Sequence, residues 1–173
     1  MKTIPYITSP KLQDSVVQKI RKRFDNNLSW LEYSFPIVQT GVMESDGEEF
    51  TYPQVYAGDK STKYYDVRPD WKVKSYCFFE FGGATENAEG AIYNLSVTFY
   101  ARLDLCGYVE PTSLLSDVLD ELKHPSIDAG ELQWTTDVDE VFDGYTDLRR
   151  VMTQALMRHG TAFKINFTVY EIC

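Results

Sequence analysis

The residues able to do chemistry are few and scattered. The chain has two histidines, His124 and His159. Both fall near the ends of expected helices, and neither has a histidine or cysteine at i+3 or i+4, so no zinc-type ligand pair is built. Their expected role is helix capping and complementing the negative helix end. Cys77, Cys106 and Cys173 are odd in number and widely spaced. They form neither a disulfide framework nor a ligand set, and fit a reducing compartment. The acidic run Asp137, Asp139, Glu140 and Asp143 invites a calcium loop. With Asp139 at loop position 1, Gly144 would fit position 6. Position 3 would then be Val141, and position 12 would be Arg150, where a bidentate glutamate is required. The run is therefore expected to be a solvated acidic face. The phosphate-binding, nucleophile-elbow and metalloprotease motifs are absent. The expectation is a protein that is not an enzyme, with no catalytic residue, metal or cofactor.

Charge says more. The formal net charge is −9, which repels nucleic-acid phosphates. Residues 110–147 hold 11 Asp or Glu and 1 Lys. Residues 10–23 hold Lys11, Lys19, Arg21, Lys22 and Arg23 against Asp14 alone. Five basic residues without an aromatic platform do not make a specific nucleic-acid site. Unlike charged faces on one chain suit head-to-tail contacts between copies, which close into rings when the rotation allows. The candidate interface residues are Lys19, Lys22 and Arg23 on one side and Asp137, Asp139, Glu140 and Asp143 on the other. The opening MKTIPYITSP lacks the apolar stretch of a signal peptide. No window reaches the roughly 20 apolar residues of a membrane span. The expectation is assembly in the cytoplasm, away from membranes.

The elements that must position these residues read as one α+β domain over residues 1–173, an antiparallel sheet of four to five strands against two to three helices. Residues 1–9 read as an extended arm. Ser9 and Pro10 open a helix whose apolar stripe runs from Leu12 to Leu31. Short strands are expected at 37–40 and 51–57, separated by the turn pair Asp46-Gly47, with Pro53 at an edge or end position. Residues 71–81 and 91–103 alternate apolar and polar, the mark of half-buried antiparallel strands. Between them, 82–90 (GGATENAEG) reads as a mobile loop. Pro111 opens a second helix that Pro125 closes. The stretch 126–147 reads as a possible insertion. A third helix is expected over 147–159 with Gly160 as its left-handed cap residue, and a final strand over 163–170.

This order of elements carries a resemblance: a long amphipathic helix, the strand FPIVQTG, the strand YPQVYAGD, a long hairpin with one polar face, a helix, and the last strand FKINFTVYE. It resembles the neck and tail-completion proteins of tailed bacteriophages, especially the tail-terminator type. The resemblance implies homo-oligomeric rings in the virion, contact with a connector, tail tube or neighbouring ring, and no catalysis. The charge split and the absent motifs leave a monomeric protein-binding module or an enzyme of unknown type as alternatives.

Overall fold

The computed structural model describes residues 6, 10, 12–56, 64–67, 73–107, 110–149 and 159–172. The fold is α+β, and its centre is a five-stranded sheet. Helix α1, Gln13–Asn27, buries Val16, Val17, Ile20, Arg21 and Phe24 on one stripe. It ends at Asn27, short of the expected Leu31, because Leu28 leaves helical geometry at φ −95° and ψ 89°. Leu28, Trp30 and Leu31 stay buried in the same core as the helix stripe. Strand β1, Tyr33–Ile37, then joins the sheet edge.

The chain next leaves that sheet and builds a second one, which the sequence reading did not foresee. Strands β2, Gln39–Ser45, β3, Glu48–Tyr56, and β4, Tyr64–Asp66, pair antiparallel in the order β2-β3-β4. Asp46-Gly47 makes the expected tight turn, with φ 52° and 79°, the positive pair that two-residue hairpins require. Pro53 is not on an edge strand but in the central one. Its register partner on β2 is Thr40, it lies just past the end of the β3–β4 pairing, and its carbonyl takes the Val67 N–H at 2.8 Å.

Strands β5, Ser75–Glu86, and β6, Gly90–Arg102, are antiparallel neighbours, as their alternation predicts. The expected loop 82–90 is a correction: β5 runs on to Glu86, and only residues 87–89 turn. Gly82-Gly83 marks a bulge, not a turn. The pairing shifts between Phe81 and Ala84, with Gly83 at φ 112°, an extra residue that bends the strand. Asn87 closes the hairpin by accepting the N–H groups of Glu89 and Gly90.

Helix α2, Pro111–Lys123, follows with proline in its first turn, as expected. The stretch 126–147 is built into the fold. It supplies strand β7, Gly130–Thr135, which pairs with the last strand, and the short helix α3, Val138–Val141. Residues 146–149 are helical, and the rest of the expected third helix lies outside the described residues. The left-handed position after it is His159, at φ 81°, rather than Gly160. Gly160 already opens strand β8, Gly160–Ile172. The sheet order is β1-β5-β6-β8-β7, and β1 runs parallel to β5, so the sheet is mixed rather than wholly antiparallel. The detour through the second sheet returns the chain alongside β1 in the same direction.

Helices α1 and α2 cover one face of this sheet. Cys77, Phe79, Val97, Phe99, Ile165 and Phe167 point into that core with Phe24, Trp30, Leu114 and Val118. The Phe99 ring stacks on Phe163 at 5.1 Å and meets Phe24 at 5.5 Å and Trp30 at 5.7 Å. The opposite face was expected to be polar, and half of it is not. Tyr76, Phe78, Tyr100 and Ala162 are buried under Val38, Val55, Val141, Phe142, Tyr145 and Leu148. The second layer therefore covers one end of that face and leaves the other end open.

Candidate interaction surfaces

The basic residues of α1 do not form one free face. Arg23 reaches Glu121 of α2 through Nε at 2.9 Å and Nη2 at 2.7 Å, and Asn27 adds a third donor at 3.3 Å. Lys19 pairs with Glu171 of β8 at 2.8 Å. Arg21 is buried, at 1% exposure. Its guanidinium donates to the Ser34 carbonyl at 2.7 and 3.2 Å and to Ser34 Oγ at 3.3 Å. Burial pulls its pKa down, opposed by Cys77, Tyr6 and Asp25. Of the three basic candidates, only Lys22 projects without an in-chain carboxylate in the described contacts, its Nζ standing 5.2 Å over the Tyr6 ring. Two of the three are thus spent on joining α1 to α2 and β8.

The acidic candidates do come together. Asp137 caps α3 by accepting the Asp139 N–H at 2.9 Å, while Asp139 lies 3.7 Å from Arg149. Asp139, Glu140 and Asp143 rim a groove of about 550 Å³ whose other walls are Trp134, Thr135, Lys164 and Asn166. Sequence reasoning missed the larger groove beside it, about 770 Å³, which lies on the open end of the sheet. Its floor is a cross-strand row, Gln133–Asn166–Ser96–Glu80, set by the pairing of β7, β8, β6 and β5. Asn94 and Thr168 form the next row. The polar parity of these strands was the available signal, but it does not distinguish plain solvent exposure from a groove floor.

At the boundary between the open and covered ends, Lys164 Nζ lies 3.2 Å from Glu80 Oε1. Burial, then the Glu80 charge, pushes the Tyr145 phenol well above its usual range. The Lys164–Glu80 contact joins β8 to β5, and Thr51 of β3 holds the 144–146 turn by donating to the Gly144 carbonyl at 2.7 Å. Beyond the groove the same face becomes apolar: Ile92 is 41% exposed, its register partner Tyr170 47%, and Ile172 79%. A second projecting feature is the tip of the β2–β3 hairpin, where Glu44 stands directly opposite Glu49, with Asp46 and Glu48 also exposed.

His124 and Cys77 are built into the fold. His124 Nδ1 sits 2.8 Å from Ser126 Oγ and accepts the Ser126 N–H at 3.1 Å, closing the turn after α2. The Cys77 thiol is fully enclosed, and burial raises its pKa strongly. Among the described residues no group of three His, Cys, Asp or Glu is placed to hold a metal ion, and no helix is long and apolar enough to cross a membrane. Comparison with family models, with curated proteins and with solved structures yields no match to this chain.

Proposed function

We propose that the protein is a non-catalytic structural subunit that associates with copies of itself, as a ring component of the neck or tail of a tailed-phage particle. The observation that supports self-association is the half-covered sheet. One face is packed by α1 and α2, while the open end of the other presents Ile92, Tyr170 and Ile172 beside an amide-rich groove. An apolar patch next to polar, hydrogen-bonding groups has the make-up of a protein interface with a wet rim. The phage assignment rests on the order of elements: a long helix, a long hairpin, a second helix and a closing strand.

The charge contact between α1 and the acids of 137–143 is a smaller part of this reading. Reversing Lys19 and Arg23 would break their in-chain pairs with Glu171 and Glu121 and so disturb the fold as well as any interface. Lys22→Glu is the cleaner probe. The main test is Ile92→Lys with Tyr170→Glu, an opposite-charge pair at facing positions, followed by sedimentation velocity over a concentration series. Exposed substitutions shift stability by only about 0.5 kcal/mol, so the melting curve should hold while the dissociation constant rises at least about tenfold, the equivalent of ~1.4 kcal/mol. Association unchanged by the double variant would remove the open sheet face from the account.

A further inference from the structure

Two irregular stretches of strand face each other across the open end of the sheet. The ladder shifts at Gly82-Gly83 on β5, and again between Gly130 and Gln133 on β7, where Glu131 takes φ 51°. Bulges re-aim side chains and recur beside binding sites. Here they bound the groove of about 770 Å³, with Gly82 in one wall and Glu131 and Leu132 in the other. Gly130 and Gly82 stand at the two ends of the row that holds Thr168 and Asn94. A Cβ on Gly130 would lie 3.2 Å from Thr168 Oγ1, and one on Gly82 would lie 3.6 Å from Asn94 Cβ. The missing side chains keep that row open at both ends.

The floor is a set of neutral donors and acceptors. Asn94, Asn166 and Gln133 supply amides, and Ser96 and Thr168 supply hydroxyls. No hydrogen bond to another described residue occupies these five side chains. Ser96 is buried, at 8% exposure, and still lines the groove. A polar side chain this enclosed is normally bonded, and a ligand in the groove would satisfy it.

The same groups select the ligand class. Strands β6 and β8 each have a paired neighbour on both sides, so the floor has no free edge for an extended peptide. Lys164, the cation of the adjoining groove, lies 3.2 Å from Glu80. Glu131 here, with Asp139, Glu140 and Asp143 next door, adds negative charge that repels phosphates and other anions. Leu95 and Phe167 turn into the helix-side core, so the floor offers little to an apolar ligand. What fits is a neutral ligand dense in hydroxyls, each able to donate to and accept from an amide. Trp134, 52% exposed, belongs to the adjoining groove, which shares Gln133 and Asn166 with this one. Its ring supplies the apolar surface that the C–H face of a sugar needs.

We infer that this groove is a carbohydrate-binding site that takes a neutral oligosaccharide across β7, β8, β6 and β5. The inference goes beyond self-association and does not rest on it, since that contact turns on Ile92, Tyr170 and Ile172 outside the groove.

The test is isothermal titration calorimetry of the full chain with three neutral probes, maltohexaose, cellohexaose and chitohexaose. Hexagalacturonic acid and spermidine serve as the anionic and cationic comparisons. At least one neutral probe should bind saturably. Asn94→Ala combined with Asn166→Ala should weaken that binding by at least about tenfold, the loss of two hydrogen-bonding amides. Both positions are exposed, so the melting curve should hold. Gly82→Leu, which fills the groove beside Asn94 and removes no donor, should weaken binding as well. The assignment is overturned if no neutral probe saturates up to about 10 mM, if both variants bind like wild type, or if either charged probe is preferred.

Discussion

Arg21 and Lys22 are neighbours of like charge on one helix, and the fold gives them opposite environments. Lys22 is exposed, whereas Arg21 is enclosed and supplies two N–H donors to the Ser34 carbonyl. Arg21→Ala would leave that carbonyl short of both donors, at a cost of about 1–3 kcal/mol. Loss of the buried aliphatic stem and the space it fills adds roughly 1–2 kcal/mol. The expected total is about 2–5 kcal/mol. For a chain of this size about 2–4 °C of melting temperature accompanies each kcal/mol, so Tm should fall by roughly 4–20 °C. Lys22→Ala should stay within about 0.5 kcal/mol. Urea and thermal unfolding followed by circular dichroism measure both. Arg21→Met separates the two contributions, because it keeps much of the stem and removes the donors. Equal, small effects for Arg21→Ala and Lys22→Ala would refute the buried placement of Arg21 and the α1–β1 junction built on it.

Three further outcomes test other parts of the fold. Thr98 is buried and its hydroxyl finds no partner among the described residues, so Thr98→Val, which keeps the shape, should be neutral or stabilising in urea unfolding. Glu131 holds φ 51° within the irregular pairing of β7. Glu131→Gly should therefore raise stability by about 1 kcal/mol, and a loss of stability would count against that backbone geometry. Gly90 has no room for a side chain, since a Cβ there would lie 2.2 Å from the Glu171 carbonyl and 3.0 Å from the Tyr170 ring. Gly90→Ala should cost about 1–3 kcal/mol, and a melting curve identical to wild type would contradict the close approach of β6 and β8.

The helix-facing half of the core was legible because Val97 and Phe99, and Ile165 and Phe167, each sit two apart among mostly polar neighbours, and Cys77 and Phe79 keep the same spacing, which is the strand period itself. The second layer was not. Tyr76, Phe78 and Tyr100 carry the signal of a sheet covered on both faces, but alternation counts one face as apolar and treats the other as solvent. Gly82-Gly83 reads as a turn because local sequence cannot separate a turn from a bulge; the continuing ladder from Ala84 to Glu86 decides it. The extent of α1 was overread because Leu28 and Leu31 keep the helical spacing while packing from a loop. Arg21 was grouped with the surface cations, although it lies four residues after Val17 and three before Phe24, on the buried stripe. Among the interface candidates, acids placed close in sequence stayed together in space. The basic set was divided by Glu121 and Glu171, acids distant in sequence whose approach depends on how α2 and β8 pack against α1.

The central claim is that this chain works as one of several identical structural subunits in a virus particle. Quantitative mass spectrometry of purified tailed particles, calibrated against a protein of known copy number, tests it most directly. The account predicts the chain in multiple copies per particle, retained through gradient purification. Its absence from purified virions, or its presence as a single copy, would contradict the account.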